Sequence, residues 1–175
     1  MSTIIVAVIL VSIVIFICLV LVGINNKHRK KATTELLTRF NKFGTENKLS
    51  FTKQEILETC LIGLDEAQRK LFVLKKIDAD KYDFILLDLD EVKKCSKKKI
   101  FEKVNIGTSK KEKFENHIDK IALVFDFSDN RQPSQISFFE HKTDHLIKMV
   151  ELEQKAMDWE AILTKIINIR LKKIA

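Results

Sequence analysis

The sequence has few of the residues that interrupt or cross-link a chain: its 175 residues include one proline, four glycines and three cysteines. Because proline and glycine are so scarce, a long flexible linker is not expected. The cysteines are odd in number and form no Cys-x-x-Cys pair, which argues against a disulfide framework and a zinc site. We therefore expect a chain without disulfides, metal or cofactor.

The first 26 residues contain no charged side chain. Within them the apolar run Thr3–Ile24 is long enough, at about 1.5 Å per helical residue, to cross the roughly 30 Å core of a bilayer. No basic residue precedes this run and no small-residue cleavage site follows it, so a cleaved signal peptide is disfavoured. The sequence predicts a single-pass transmembrane anchor over residues 1–26.

Four cations follow the apolar run directly: Lys27, Arg29, Lys30 and Lys31. Because basic residues collect on the cytoplasmic side of a membrane, we expect the amino terminus outside the cell and the rest of the chain in the cytoplasm. Of the formal net charge of +7, these four residues supply four, which leaves +3 for the remainder. The remainder is thus only mildly basic.

Residues 27–48 are predicted to form a helical connector, and residues 49–175 one domain. The apolar positions of the connector recur at helical spacing and either dock on the domain or lie among lipid headgroups. They are Leu36, Leu37, Phe40 and Phe43.

The domain begins with a strand-like pattern of β-branched and aromatic residues. The runs Phe51–Leu64 and Lys70–Lys76 flank the polar turn Asp65–Arg69 and predict a hairpin. Further strands are predicted over Lys81–Asp88, Val92–Val104, Ile118–Phe127 and Ile136–His141. Short strands with polar connections favour an antiparallel sheet or barrel.

The chain ends in a predicted amphipathic helix. Residues 144–173 lack glycine and proline, and apolar side chains recur at steps of three and four. The helix would begin at Thr143 or Asp144 as the N-cap residue. Strands followed by one closing helix predict an α+β fold. The apolar stripe consists of Met149, Leu152, Ala156, Trp159, Leu163 and Ile166.

This order, an antiparallel run of strands and then a helix with a central Trp159, resembles the pleckstrin-homology-like fold. The segment Ile62–Glu66 before a lysine-rich strand also resembles small single-pass bacterial membrane proteins. The resemblance covers residues 50–170 and implies a β-barrel or sandwich of two bent sheets, closed by the helix, with Trp159 in the core. Because members of that fold are mostly adaptors or headgroup binders, it also implies a non-enzymatic binding module.

One motif points to an enzyme instead. In Phe84–Val92 an apolar strand ends in Asp88-x-Asp90, as in haloacid-dehalogenase-like phosphotransferases, where Asp88 would attack phosphorus and Asp90 would donate a proton beside magnesium. Those enzymes need alternating β and α elements, whereas here a lysine-rich strand follows. A metal-dependent phosphohydrolase is therefore the alternative function, and a tight turn is the expected structure.

A second motif pairs His141 and His145 with Glu140 and Asp144. If a helix began before His141, the two histidines would share one face and could hold a metal. The expected helix start falls between them, so we predict no metal site.

The strongest charge signal is a lysine-rich segment with a local charge of +7. Near a membrane, each of its cations would add about 1 kcal/mol of attraction to anionic lipid. Alternatively, lysines on an edge strand simply prevent pairing between sheets. The segment contains Lys93, Lys94, Lys97, Lys98, Lys99, Lys103, Lys110, Lys111 and Lys113.

The sequence as a whole predicts a non-enzymatic binding module, anchored in the membrane, whose partner is an anionic lipid or a membrane-associated protein. Nucleic acid is not expected, because the lysine-rich segment lacks interleaved aromatic residues. Self-association along the last helix stays open, since three apolar residues lie off its main stripe: Ile167, Ile169 and Leu171.

Overall fold

The computed structural model describes residues 2–57, 60–77, 81–105, 114–129 and 131–174. The chain divides into two units, Met1–Glu46 and Asn47–Ala175. The first unit is a single helix, α1, which extends from Ser2 to Glu46. The connector predicted over residues 27–48 therefore belongs, as far as Glu46, to the same continuous helix as the apolar run.

The prediction of a transmembrane anchor over residues 1–26 is wrong. Among the residues that the structure describes, no helix has both the length and the apolar character needed to cross a membrane. The predicted orientation of the chain depended on that anchor and stays untested.

The second unit contains two antiparallel sheets followed by a helix, which makes it an α+β fold. The first sheet has the order β1-β2-β3-β4 and the second the order β5-β6-β7. A short 3-10 helix over Leu146–Lys148 precedes the last helix. The described elements are β1 (Lys53–Ile56), β2 (Cys60–Asp65), β3 (Lys70–Lys76), β4 (Tyr82–Asp88), β5 (Val92–Asn105), β6 (Phe114–Phe127), β7 (Ser134–Glu140) and α2 (Met149–Ile174).

The described strands form two separate sheets and no closed barrel, so the β-barrel of the predicted fold is wrong. After the turn that follows Asp88, β5 pairs with β6 and not with β4 in the described structure. The chain thus passes from the first sheet to the second at this turn, because β4 is the last strand of the first sheet and β5 pairs with β6 in the second. Two independent layers result, with the apolar core between them.

Most strands lie where the sequence predicts them, but the first predicted run contains two strands. β1 ends at Ile56 and β2 begins at Cys60, and the two pair antiparallel. The hairpin of β2 and β3 is closed by the predicted turn after Asp65, and Arg69 adopts a left-handed conformation there with φ of 55°. That conformation is uncommon for a residue other than glycine.

Asp65 fixes this turn to the start of the domain. Its carboxylate is fully buried and accepts hydrogen bonds from the backbone N–H of Ser50 at 2.7 Å and of Gln68 at 2.8 Å. Burial alone would raise the pKa of Asp65, but the backbone hydrogen bonds outweigh it, so the pKa lies below its ordinary value. The buried charge is stable because its acceptor oxygens are satisfied.

The last helix begins at Met149, five residues later than the sequence predicts. Asp144 does not cap α2, because its carboxylate instead accepts a hydrogen bond from the backbone N–H of Glu140 at 2.7 Å. The predicted core position of Trp159 is confirmed, since this side chain is only 1% exposed. Ile167 is also buried, so it cannot take part in the proposed self-association surface.

Candidate functional site

Strand β5 carries the first five lysines of the lysine-rich segment, and strand alternation divides them between two faces. Cys95 is buried, and Lys97 and Lys99 lie on the same face of the strand. Lys94 and Lys98 lie on the opposite, outer face and are exposed. Lys93 is exposed as well and occupies a register shift between Val92 and Lys94.

The two inner lysines hold helix α2 against β5. The Nζ atoms of Lys97 and Lys99 lie 2.6 Å and 2.8 Å from the same Oε1 atom of Glu153. Hydrogen bonds from Lys97 and then Lys99 hold the pKa of the Glu153 carboxyl below its ordinary value. The backbone N–H of Lys97 also donates to Glu160 at 2.9 Å. These two lysines are therefore structural.

The outer lysines have no such role. Lys93, Lys94 and Lys98 belong to no ion pair among the contacts of the described residues. In the pairing of β5 with β6, Lys94 lies opposite Asp126 and Lys98 lies opposite Ala122. This face therefore carries more positive than negative charge. We call Lys94 and Lys98, together with the exposed Lys93 at the register shift beside them, the outer lysine face.

The side chains of the remaining predicted basic positions are not described. Lys110, Lys111 and Lys113 are not described, nor is the side chain of Lys103 in β5. The backbone of α1 includes the four cations after the apolar run, but their side chains are likewise not described: Lys27, Arg29, Lys30 and Lys31.

The Asp88-x-Asp90 motif forms the turn from β4 to β5. The Oδ1 atom of Asp88 accepts a hydrogen bond from the backbone N–H of Asp90 at 2.9 Å. Asp90 in turn accepts a hydrogen bond from Nε of Arg69 at 2.6 Å, and the guanidinium of Arg69 also donates to the carbonyl of Ile166 at 3.1 Å. Both carboxylates thus stabilise the turn and its contact with α2.

The two predicted histidines are not brought together as a metal pair. His145 precedes the 3-10 helix, whereas the His141 ring packs edge-to-face on His117 with a centroid separation of 4.5 Å. Within the described parts of the chain, no group of three or more histidine, cysteine, aspartate or glutamate side chains could hold a metal ion. The alternative in which both histidines share one helix face needed a helix that begins before His141, whereas both residues precede the 3-10 helix and α2.

Sequence reasoning missed a cleft at the edge of the two sheets. This cleft has a volume of about 120 Å³. It contains the ion pair of Lys75 and Glu140, whose Nζ and Oε1 atoms are 3.3 Å apart. We call this feature the inter-sheet cleft, and its lining consists of Cys60, Val73, Lys75, Ile85, Lys120, Gln135, Ile136, Ser137 and Glu140.

The charges in the inter-sheet cleft are coupled. Burial acts to raise the pKa of Glu140, but hydrogen bonds from Ser137 and Lys75 and the charges of Lys75 and Lys120 lower it overall. Lys120 lies directly opposite Glu140 in the register of β6 and β7. No sequence signal points to this arrangement, because Glu140 follows Lys75 by 65 residues.

A buried cysteine next to the lysines is chemically inert. Burial, and then the negative charges of Glu160 and Asp126, raise the pKa of Cys95 to about 12. A thiol with such a pKa is not a nucleophile at neutral pH.

Comparison of the chain with protein-family models, with curated proteins and with solved structures returns no match.

Proposed function

We propose that this protein is a non-enzymatic binding module whose outer lysine face contacts an acidic surface of a partner protein. The observation that carries the proposal is the division of the β5 lysines. Lys97 and Lys99 are occupied by Glu153, whereas the three lysines of the outer face extend into solvent. Charges arranged on one face attract a partner of opposite charge and orient its approach.

An acidic protein surface fits this face better than a lipid surface does. Three cations at about 1 kcal/mol each provide only weak attraction to an anionic membrane. A protein partner adds hydrogen bonds and apolar contacts to the same charges. Lipid binding is therefore the competing outcome of the experiment below.

The turn geometry supports a binding role over the phosphohydrolase alternative. Asp88 bonds the backbone of its own turn, and Asp90 is engaged by Arg69. A nucleophile and a proton donor would instead have to face one substrate position. The resemblance to the pleckstrin-homology-like fold stays a prediction, for which the two antiparallel sheets and the closing helix are the support.

The test is binding of the full chain to poly-L-glutamate at two salt concentrations. In the triple variant Lys93→Glu, Lys94→Glu, Lys98→Glu we expect at least a tenfold loss of affinity. The affinity of the wild type should itself fall as salt rises, because exposed charges are screened within about 10 Å at 0.1 M salt.

The matched control replaces three exposed lysines elsewhere, Lys81, Lys142 and Lys165, by glutamate. Both triple variants change the formal net charge from +7 to +1, since each replacement removes one positive charge and adds one negative charge. Equal losses in the two variants would mean that only the overall charge matters, and the proposed face would be rejected. Stronger binding to phosphatidylserine vesicles than to poly-L-glutamate would reject the protein partner in favour of lipid.

A further inference from the structure

The inter-sheet cleft is lined by charged and polar side chains together with apolar ones. Val73, Ile85 and Ile136 supply the apolar side chains, from β3, β4 and β7. Lys75 and Lys120 supply two positive charges against the single negative charge of Glu140. A site with a few polar groups on an apolar concave surface is the usual form of a small-molecule site.

The charge balance selects the sign of the ligand. The Glu140 carboxylate is already engaged by Lys75 at 3.3 Å and by the Ser137 side chain. The ammonium of Lys120 then leaves one positive charge in excess within the cleft. An anion would balance this charge, whereas a cation would add to it.

The volume of the cleft limits the size of the ligand. At about 120 Å³ the cleft is somewhat smaller than an engineered protein cavity of about 150 Å³ that holds benzene. A ligand of about six non-hydrogen atoms would therefore fill this volume. The apolar side chains Val73, Ile85 and Ile136 favour an organic anion with a short hydrocarbon tail over inorganic phosphate, because placing charged phosphate oxygens against apolar side chains is unfavourable.

We propose that the inter-sheet cleft binds a short-chain monocarboxylate, with its carboxylate against Lys120 and Lys75 and its tail against Ile85 and Ile136. No residue of the outer lysine face lines this cleft, so different substitutions test this proposal and the proposed function. A ligand of this size binds in the millimolar range, because few atoms contribute to the affinity.

The experiment is a titration of the full chain, labelled with ¹³C at the isoleucine δ-methyl groups, with butyrate. Butyrate should shift the methyl resonances of Ile85 and Ile136, which line the cleft, and leave that of Ile169 unchanged. Ile169 is exposed on α2 and is absent from the cleft lining, so it serves as the internal control. The measurement needs no variant and so does not depend on the folding of one.

Two comparisons make the test specific. Lys120→Gln should raise the dissociation constant for butyrate at least fivefold, whereas Lys165→Gln, an equal change at an exposed position of α2, should leave it unchanged. Butylammonium and inorganic phosphate should each bind at least fivefold more weakly than butyrate. The proposal is overturned if butyrate at about 50 mM, well above a dissociation constant on the order of 1 mM, shifts the methyl resonance of neither Ile85 nor Ile136. It is also overturned if Ile169 shifts equally, or if butylammonium binds as well as butyrate.

Discussion

Replacing Glu153 by glutamine tests whether the inner lysines fasten helix α2 to β5. The substitution keeps the size of the side chain but removes the charge that one oxygen shares with Lys97 and Lys99, at 2.6 Å and 2.8 Å. The glutamine amide still accepts one hydrogen bond, but the two lysines are left without a counter-charge. We therefore expect a measurable loss of stability at neutral pH.

The magnitude follows from the exposure of the three side chains. Glu153 is 19% exposed, Lys97 is 20% exposed and Lys99 is 35% exposed, so the cluster is neither buried nor freely solvated. Exposed ion pairs contribute about 0.2 to 1 kcal/mol, and hydrogen bonds to charged groups contribute about 1.5 to 3 kcal/mol. For two pairs on one acceptor in this intermediate setting, we expect a loss of about 2 kcal/mol in the free energy of unfolding.

The effect should depend on pH in a defined direction. Hydrogen bonds from Lys97 and Lys99 lower the pKa of Glu153 in the folded state below its ordinary value of 4.5. A carboxyl with a lowered folded-state pKa stabilises the protein above its unfolded-state pKa, and this contribution is lost as the pH falls through the folded-state value. The difference in the free energy of unfolding between the wild type and Glu153→Gln should therefore become smaller below pH 4.5.

The assay is urea unfolding followed by the fluorescence of Trp159, the only tryptophan in the chain and a buried residue. Glu151→Gln is the matched control, because Glu151 also lies in α2 but is 63% exposed, and its ion pair within the described structure is with Lys155. The free energy of unfolding of Glu151→Gln should be lower than that of the wild type by no more than about 0.5 kcal/mol. Equal stabilities of the two variants at pH 7 would refute the proposed role of the inner lysines.

Three further outcomes are expected. Asp65→Ala should lower the free energy of unfolding by about 2 to 4 kcal/mol, because it leaves buried backbone N–H groups without an acceptor. The pKa of Asp65 is lowered in the folded state, so its carboxylate stabilises the protein above the ordinary pKa of 3.8 and loses this effect as the pH falls below it. Acid unfolding of the wild type and of Asp65→Ala measures this difference. With Ellman's reagent at pH 7, Cys18 should react in the native protein, while Cys95 and the other buried cysteine should react only in denaturant; fast labelling of all three would contradict the described core. Arg69→Ala should lower the free energy of unfolding by about 1 to 3 kcal/mol, because the contacts with Asp90 and α2 are lost. Arg69→Gly should lower it by less, because glycine accepts the φ of 55°. Equal stability of these two variants, measured by urea unfolding, would speak against strain at this turn.

Local patterns predicted the hairpin of β2 and β3 and the buried stripe of the last helix. In both cases the signal lies within one short stretch of chain: the polar turn after Asp65 separates two apolar runs, and Trp159 lies at the centre of a regular apolar repeat. The start of α2 was predicted five residues too early, at Asp144. A carboxylate before a helix can cap it, and nothing in the sequence reveals that this one bonds Glu140 instead.

The candidate site depended on information that the sequence does not contain. Alternation along β5 is readable, but the partner of Lys97 and Lys99 is Glu153, which lies more than fifty residues later on another element. The inter-sheet cleft likewise joins residues from five strands of both sheets. Composition predicted one uniform lysine-rich patch, whereas packing divides it into a structural face and a free face.

Lysine footprinting of the full chain tests this division most directly. The chain is acetylated briefly with and without poly-L-glutamate, and the modified lysines are quantified by mass spectrometry. Without poly-L-glutamate, Lys97 and Lys99 should react more slowly than Lys98, because Glu153 binds their ammonium groups. With poly-L-glutamate, Lys93, Lys94 and Lys98 should be protected and Lys165 should not. Equal protection of all exposed lysines, or fast acetylation of Lys97 and Lys99, would contradict the proposed outer lysine face.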